Sequence, residues 1–105
     1  MAQFDVYINP SKRTRVIFPY IVDIQDSVIS EIASRIVIPL GKMENFKNEK
    51  MKGLTPEVTY EGEILLLLTP QVASMPSKLL KNPMGSLSHM RKEIIASLDF
   101  ATTGI

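Results

Sequence analysis

The chain reads as a small, mostly antiparallel β domain of about five or more strands, followed by one C-terminal helix. Three features point there. Phe4, Val6 and Ile8 alternate with more polar residues at the period of a half-buried strand. Prolines and turn-forming residues cut the chain into short pieces. Helical spacing of apolar residues emerges only after Ser86. With 105 residues there is room for one domain, residues 1–105.

The elements follow in order. Residues 3–8 form the first strand, and Asn9-Pro10-Ser11 a turn. In residues 15–25 the even positions Val16, Phe18, Tyr20, Val22 and Ile24 are apolar or aromatic, which predicts a second strand paired to the first across residues 9–14. Pro19 cannot donate to a ladder, so a bulge or edge is expected there. Residues 26–34 read as a loop or short helical turn. The β-branched run Arg35-Ile36-Val37-Ile38-Pro39-Leu40 reads as a buried strand stopped by Pro39. Residues 41–53, rich in Lys and Glu, read as a mobile loop. Residues 57–60 and 64–69 flank Glu61-Gly62-Glu63, a hairpin with Gly62 at the tight position. Pro76 and Pro83 keep residues 70–85 from forming a long helix. Ser86 or Ser88 is expected to cap a final helix, with Leu87, Met90, Ile94, Leu98 and Ala101 on its core stripe, Arg91, Ile95, Asp99 and Thr102 on its flank, and Gly104 as its stop.

Composition excludes several functions. Twelve Lys and Arg stand against eleven Asp and Glu, a net charge of +1, so no strong field for nucleic acid or membrane is built in. Cys is absent and His occurs once. This removes disulfides, thiolate nucleophiles, Cys-ligated zinc and His clusters, and no metal or cofactor is expected. The longest apolar run, residues 64–68, is far short of a membrane span. No signal peptide is visible, so the expected location is cytoplasmic.

Candidate chemistry is sparse. His89 reads as a general acid or base, or as a solvated residue near the helix start; nothing nearby completes a catalytic set. Glu61 and Glu63 form a carboxylate pair or simply a charged hairpin tip. Lys12-Arg13-Thr14-Arg15 is a basic cluster without interleaved aromatics. No phosphate loop or nucleophile elbow is present. These observations describe a protein that acts by binding, with no catalytic residues.

Several segments in order carry a resemblance. Gln3-Phe4, Val6-Tyr7, Val22-Asp23-Ile24-Gln25-Asp26, Arg35-Ile36-Val37-Ile38-Pro39-Leu40, Ala73-Ser74-Met75-Pro76, Leu87-Ser88-His89 and Gly104-Ile105 resemble the CcdB toxins of CcdA/CcdB toxin–antitoxin modules over essentially the whole chain. The resemblance implies a five-stranded antiparallel sheet of SH3-like barrel character with a small second sheet and a C-terminal helix. It implies a homodimer that binds between the two A subunits of DNA gyrase and stabilises the cleaved gyrase–DNA complex. A CcdA-like antitoxin would neutralise the toxin, and DNA contacts in operon repression would come from the antitoxin. The implied gyrase-binding residues are Asp26, Val28, Ile29, Arg91, Lys92, Ile95, Asp99, Thr103, Gly104 and Ile105, with Thr103 standing where the family typically has Trp. The implied antitoxin contacts are Ile8, Asn9, Lys12, Arg13, Thr14, Lys42, Met43, Phe46, Lys47 and Lys50. Two alternatives of different kind are a MazF/Kid-like endoribonuclease of the same fold, in which Arg13, Arg15, His89 or Asp23 would converge, and an Sm-like nucleic-acid module.

Overall fold

A computed structural model describes residues 2–26 and 33–103. Among the described residues, seven strands form one curled antiparallel sheet: β1 (Asp5–Ile8), β2 (Tyr20–Asp23), β3 (Ser34–Lys42), β4 (Glu57–Tyr60), β5 (Glu63–Leu67), β6 (Ala73–Pro76) and β7 (Gly85–Ser86), followed by helix α1 (Arg91–Thr103). The sheet order is β4-β5-β3-β2-β1-β7, with β6 joined to β3 off this path. The expected fold class holds.

β3 is the branch point. Its first half pairs with β6 (Ser34↔Pro76 to Val37↔Ala73), and its second half pairs with β5 (Leu40↔Leu67 to Lys42↔Leu65). The β3–β6 arm takes the place of a small second sheet, continuous with the first. Pro39 does not stop this strand. Its carbonyl accepts the Leu68 N–H on the β5 side, and a residue's N and O point to the same side of a strand. Its missing N–H therefore falls in the gap where β3 changes partner.

Both faces of the β1–β2–β3 part of the sheet are packed, which accounts for adjacent buried apolar residues there. One face carries Phe4, Val6, Val22, Ile38, Leu40, Val58, Leu65 and Leu67, closed by Leu87 and Ile94 from the helical end. The other carries Tyr7, Ile21 and Val37, covered by Leu80 and Met75. The β4–β5 turn has positive φ at Glu61 (52°) and Gly62 (76°), a type I′ geometry that suits a hairpin's twist.

Four expectations are corrected. β2 begins at Tyr20, immediately after Pro19; residues 12–17 form turns, and Val16 is exposed instead of facing the core. The period-2 pattern there is real, but the buried Asn9 amide bonds Thr14 Oγ1 and the Phe18 carbonyl and holds the segment in turns. Residues 43–49 form two short 3-10 turns (Met43–Asn45 and Lys47–Glu49). On α1, Ala101 is exposed, while Ile95 is half-buried and packs against the core. Ser97 is buried in the stripe and bonds Thr69 Oγ1 at 2.9 Å. Residues 88–90 form a 3-10 turn ahead of the helix, and Ser86 Oγ accepts the Ser88 N–H at 3.1 Å. The expectation for residues 26–34 and the Gly104 stop fall largely or wholly outside the described residues.

Candidate functional surfaces

One buried polar network sits at the exit of β2. Arg35 Nε and Nη2 reach Asp23 Oδ2 at 2.9 and 2.8 Å, and both side chains have zero exposure. Arg35 Nη2 also donates to the Gln25 carbonyl at 3.1 Å. Asp23 Oδ1 accepts the Gln25 N–H, and Gln25 Oε1 accepts the Ile36 N–H. Two strand ends are thereby tied together by charge-assisted bonds. Arg35 Nη1 is buried without a hydrogen-bond partner among the described residues. Asp23 is thus locked in an internal ion pair and has no free carboxylate oxygen facing solvent, which removes it as a general base.

The gyrase-face candidates lie along and beside α1. Arg91 and Lys92 are exposed on its first turn, and Asp99 and Thr103 on its last turns. At 1.5 Å per residue the helix separates Arg91 from Thr103 by roughly 18 Å within one protomer. Arg91 is held in place: Nη1 donates to Gln3 Oε1 at 3.1 Å, and its guanidinium lies 5.8 Å from the Phe4 ring centre. Gln3 Nε2 in turn donates to the Ile24 carbonyl at 3.1 Å, two residues before Asp26. The structure therefore joins the helix start to the β2 exit. Val28, Ile29, Gly104 and Ile105 lie outside the described residues. Sequence reasoning missed Phe100, whose ring is exposed on the last helical turn and lines a groove of about 290 Å³ with Leu54, Pro70 and Val72. Its position off the core stripe at helical spacing was the available signal.

The antitoxin-face candidates converge at the opposite end of β1. Lys12 and Arg13 are exposed at a turn that Asn9 builds. Asn9 is buried; Nδ2 donates to Thr14 Oγ1 (3.0 Å) and to the Phe18 carbonyl (2.9 Å), and Oδ1 accepts the Ser11 N–H (2.9 Å). Arg15 Nε donates to the Asn9 carbonyl at 2.8 Å. Asn9 and Thr14 thus shape the surface from within. Phe46 stacks on Phe18 with centroids 5.4 Å apart, over Gly41, where a Cβ would fall 2.5 Å from the Phe46 ring and 2.9 Å from Leu68. This glycine lets the 43–49 turns sit against residues 14–18. Ile8 is exposed, Lys42 and Met43 are half-buried, and Lys47 is exposed; Lys50 forms an ion pair with Glu57.

His89 is exposed just past β7, which pairs with the start of β1, whereas Arg13 and Arg15 follow its end. These residues do not converge. No three His, Asp or Glu among the described residues come together to hold a metal ion, and no described helix is long and apolar enough to cross a membrane.

A curled antiparallel half-barrel with one C-terminal helix, carrying candidate surfaces at both ends of β1, defines a class of small, mostly β domains. A family model described as CcdB protein matches residues 3–104 of the 105-residue chain, and the chain belongs to the CcdB family. It is thereby a toxin of the toxin–antitoxin kind. The match does not favour the MazF/Kid-like endoribonuclease.

Proposed function

We propose that this chain is the toxin of a type II toxin–antitoxin module that, as a homodimer, binds the two A subunits of DNA gyrase and stabilises the cleaved gyrase–DNA complex. The family match across residues 3–104 is the observation that carries this reading. The helical flank supports it. Arg91, Lys92, Asp99, Phe100 and Thr103 are exposed on α1, with Arg91 held by Gln3 and the Thr103 hydroxyl donating to the Asp99 carbonyl. A two-fold axis would duplicate this flank into one composite surface. Poisoning then needs no chemistry by the toxin. A ligand that prefers the open, cleaved enzyme raises its population in proportion to its differential affinity. Thr103 cannot supply the cation–π contact of the family's Trp, worth about 0.5–2 kcal/mol. The partly exposed Phe100 ring, about one helical turn before Thr103, offers an aromatic surface on the neighbouring side of the helix. A CcdA-like antitoxin would grip the surface around residues 9–14 and 41–50, and would supply the DNA contacts of operon repression. The site of action is the cytoplasm, where gyrase works.

The test is a gyrase cleavage assay with ATP and supercoiled plasmid. The purified protein should raise the amount of linear DNA after denaturation of gyrase. Removing Gly104 and Ile105 should eliminate that product while the chain stays folded. Normal supercoiling in excess toxin would refute the proposal.

A further inference from the structure

Val16 is 73% and Ile17 44% exposed, although their pattern belongs to a buried strand. Their segment is firmly built. The Arg15 N–H bonds the Ser11 carbonyl, and the Ile17 and Phe18 N–H groups both bond the Thr14 carbonyl. Asn9 ties the turn to Thr14 and Phe18 from below. Two adjacent branched apolar side chains are thus held in water by a turn whose hydrogen bonds do not involve their side chains. Serine or threonine would fit the same backbone without exposing apolar surface. Apolar side chains fixed side by side on a polar-rimmed surface mark a place of contact.

Charge narrows the occupant. Between Val6 and Val22 the chain has Lys12, Arg13 and Arg15 and no carboxylate. Residues 42–52 carry four lysines against Glu44 and Glu49, and are joined to this turn by the Lys42 N–H on the Ile17 carbonyl at 3.4 Å. Because the chain as a whole is only +1, the remainder is net acidic and the basic charge is concentrated in these two segments, one of which carries Val16 and Ile17, although Lys50 is paired with Glu57. The occupant must be acidic and must also offer large apolar side chains. A nucleic-acid strand meets the first demand but fits the second poorly, since its bases stack best on aromatic faces and this seat is a pair of branched aliphatic groups.

We infer that Val16 and Ile17 are the apolar seat of the antitoxin surface, taking large side chains of an acidic peptide segment and selecting that segment over equally acidic ones. This rests on the proposed antitoxin surface.

Two synthetic 20-residue peptides of equal net charge of about −6 make the test, one with Leu and Trp at helical spacing and one with Ser at those positions. Binding is read by fluorescence anisotropy at low and high salt. The Leu/Trp peptide should bind the intact protein, and V16S/I17S should weaken it about tenfold with unchanged melting temperature, in line with loss of a small apolar anchor. The Ser peptide should bind weakly and equally to both proteins. K12E/R13E should weaken both peptides. If V16S/I17S binds the Leu/Trp peptide like wild type while K12E/R13E does not, the apolar seat is wrong and the basic surface stands. If neither variant changes binding, both are wrong. Tight binding of a 20-nucleotide RNA, unaffected by V16S/I17S, would also overturn the seat.

Discussion

Replacing Arg35 by Met should be among the most damaging single changes in the described chain. Arg35 and Asp23 both have zero exposure, with nitrogen–oxygen contacts of 2.8 and 2.9 Å. Arg35→Met removes the cation but leaves the carboxylate buried, with the Gln25 N–H at 3.0 Å still donating to it. Breaking a buried pair from one side costs about 3–5 kcal/mol, a large part of the roughly 5–15 kcal/mol that holds a small domain folded. At about 4–8 °C per kcal/mol for a domain near this size, the melting temperature should fall by more than about 10 °C. Asp23→Asn/Arg35→Met removes both charges and keeps an acceptor for Gln25. It should recover at least half of the loss, because what destabilises is the unpaired charge. The assay is urea unfolding followed by far-UV circular dichroism, at one fixed protein concentration so that protomer association does not enter the comparison. An Arg35→Met protein within about 1 kcal/mol of wild type would refute the reasoning, as would a double variant no better than the single.

Other outcomes follow from individual contacts. Gly41→Ala places a Cβ against the Phe46 ring and Leu68; it should lower stability by about 1–3 kcal/mol in chemical denaturation and weaken acidic-peptide binding by displacing the 43–49 turns. Tyr60 Oη is buried without a hydrogen-bond partner among the described residues, so Tyr60→Phe should leave stability unchanged or raise it by up to about 1 kcal/mol. Burial, then nearby Asp5 and Asp23, raises the Tyr7 phenol above its ordinary value of 10.0, and burial followed by Glu61 raises Tyr60. Above pH 10 the folded chain therefore holds more protons than the unfolded one. Stability is full below that pH and falls as pH rises through the raised values, and Tyr7→Phe should flatten that alkaline slope in melting experiments. Phe100→Ala should reduce cleaved DNA in the gyrase assay while the chain stays folded, with a fall in melting temperature of about 4–8 °C for the roughly 1 kcal/mol its partly covered ring contributes.

Sequence and structure agree where side-chain pattern and local backbone chemistry point the same way. The β4–β5 hairpin is one case: alternation and the Glu61-Gly62 turn select the same register. Ile94 and Leu87 at helical spacing are another, and both are buried. The disagreements have a common cause. Residues 15–18 carry the alternation of a strand, but the buried Asn9 amide captures Thr14 and Phe18 and bends the segment into turns. Pro39 reads as a strand end, yet the ladder runs through it because β3 exchanges one neighbour for another beside that residue. The candidate surfaces were legible as residues and not as arrangements: Lys12 and Arg13 were visible as charges, whereas Val16 and Ile17 beside them were hidden by a pattern that suggested burial.

By itself, the order of residues determined that this chain is a mostly β protein with a terminal helix, without metal-binding cysteines, and a member of a recognisable toxin family. Those properties depend on periodicity, composition and short motifs, which are local in the chain. Only the folded structure decided that Asp23 and Arg35 neutralise each other in the interior, that Gln3 ties Arg91 to the exit of β2, and that two aliphatic side chains stand amid the basic charges. Each depends on residues far apart in sequence meeting in space, and such meetings are set by how the sheet curls and which strands share β3.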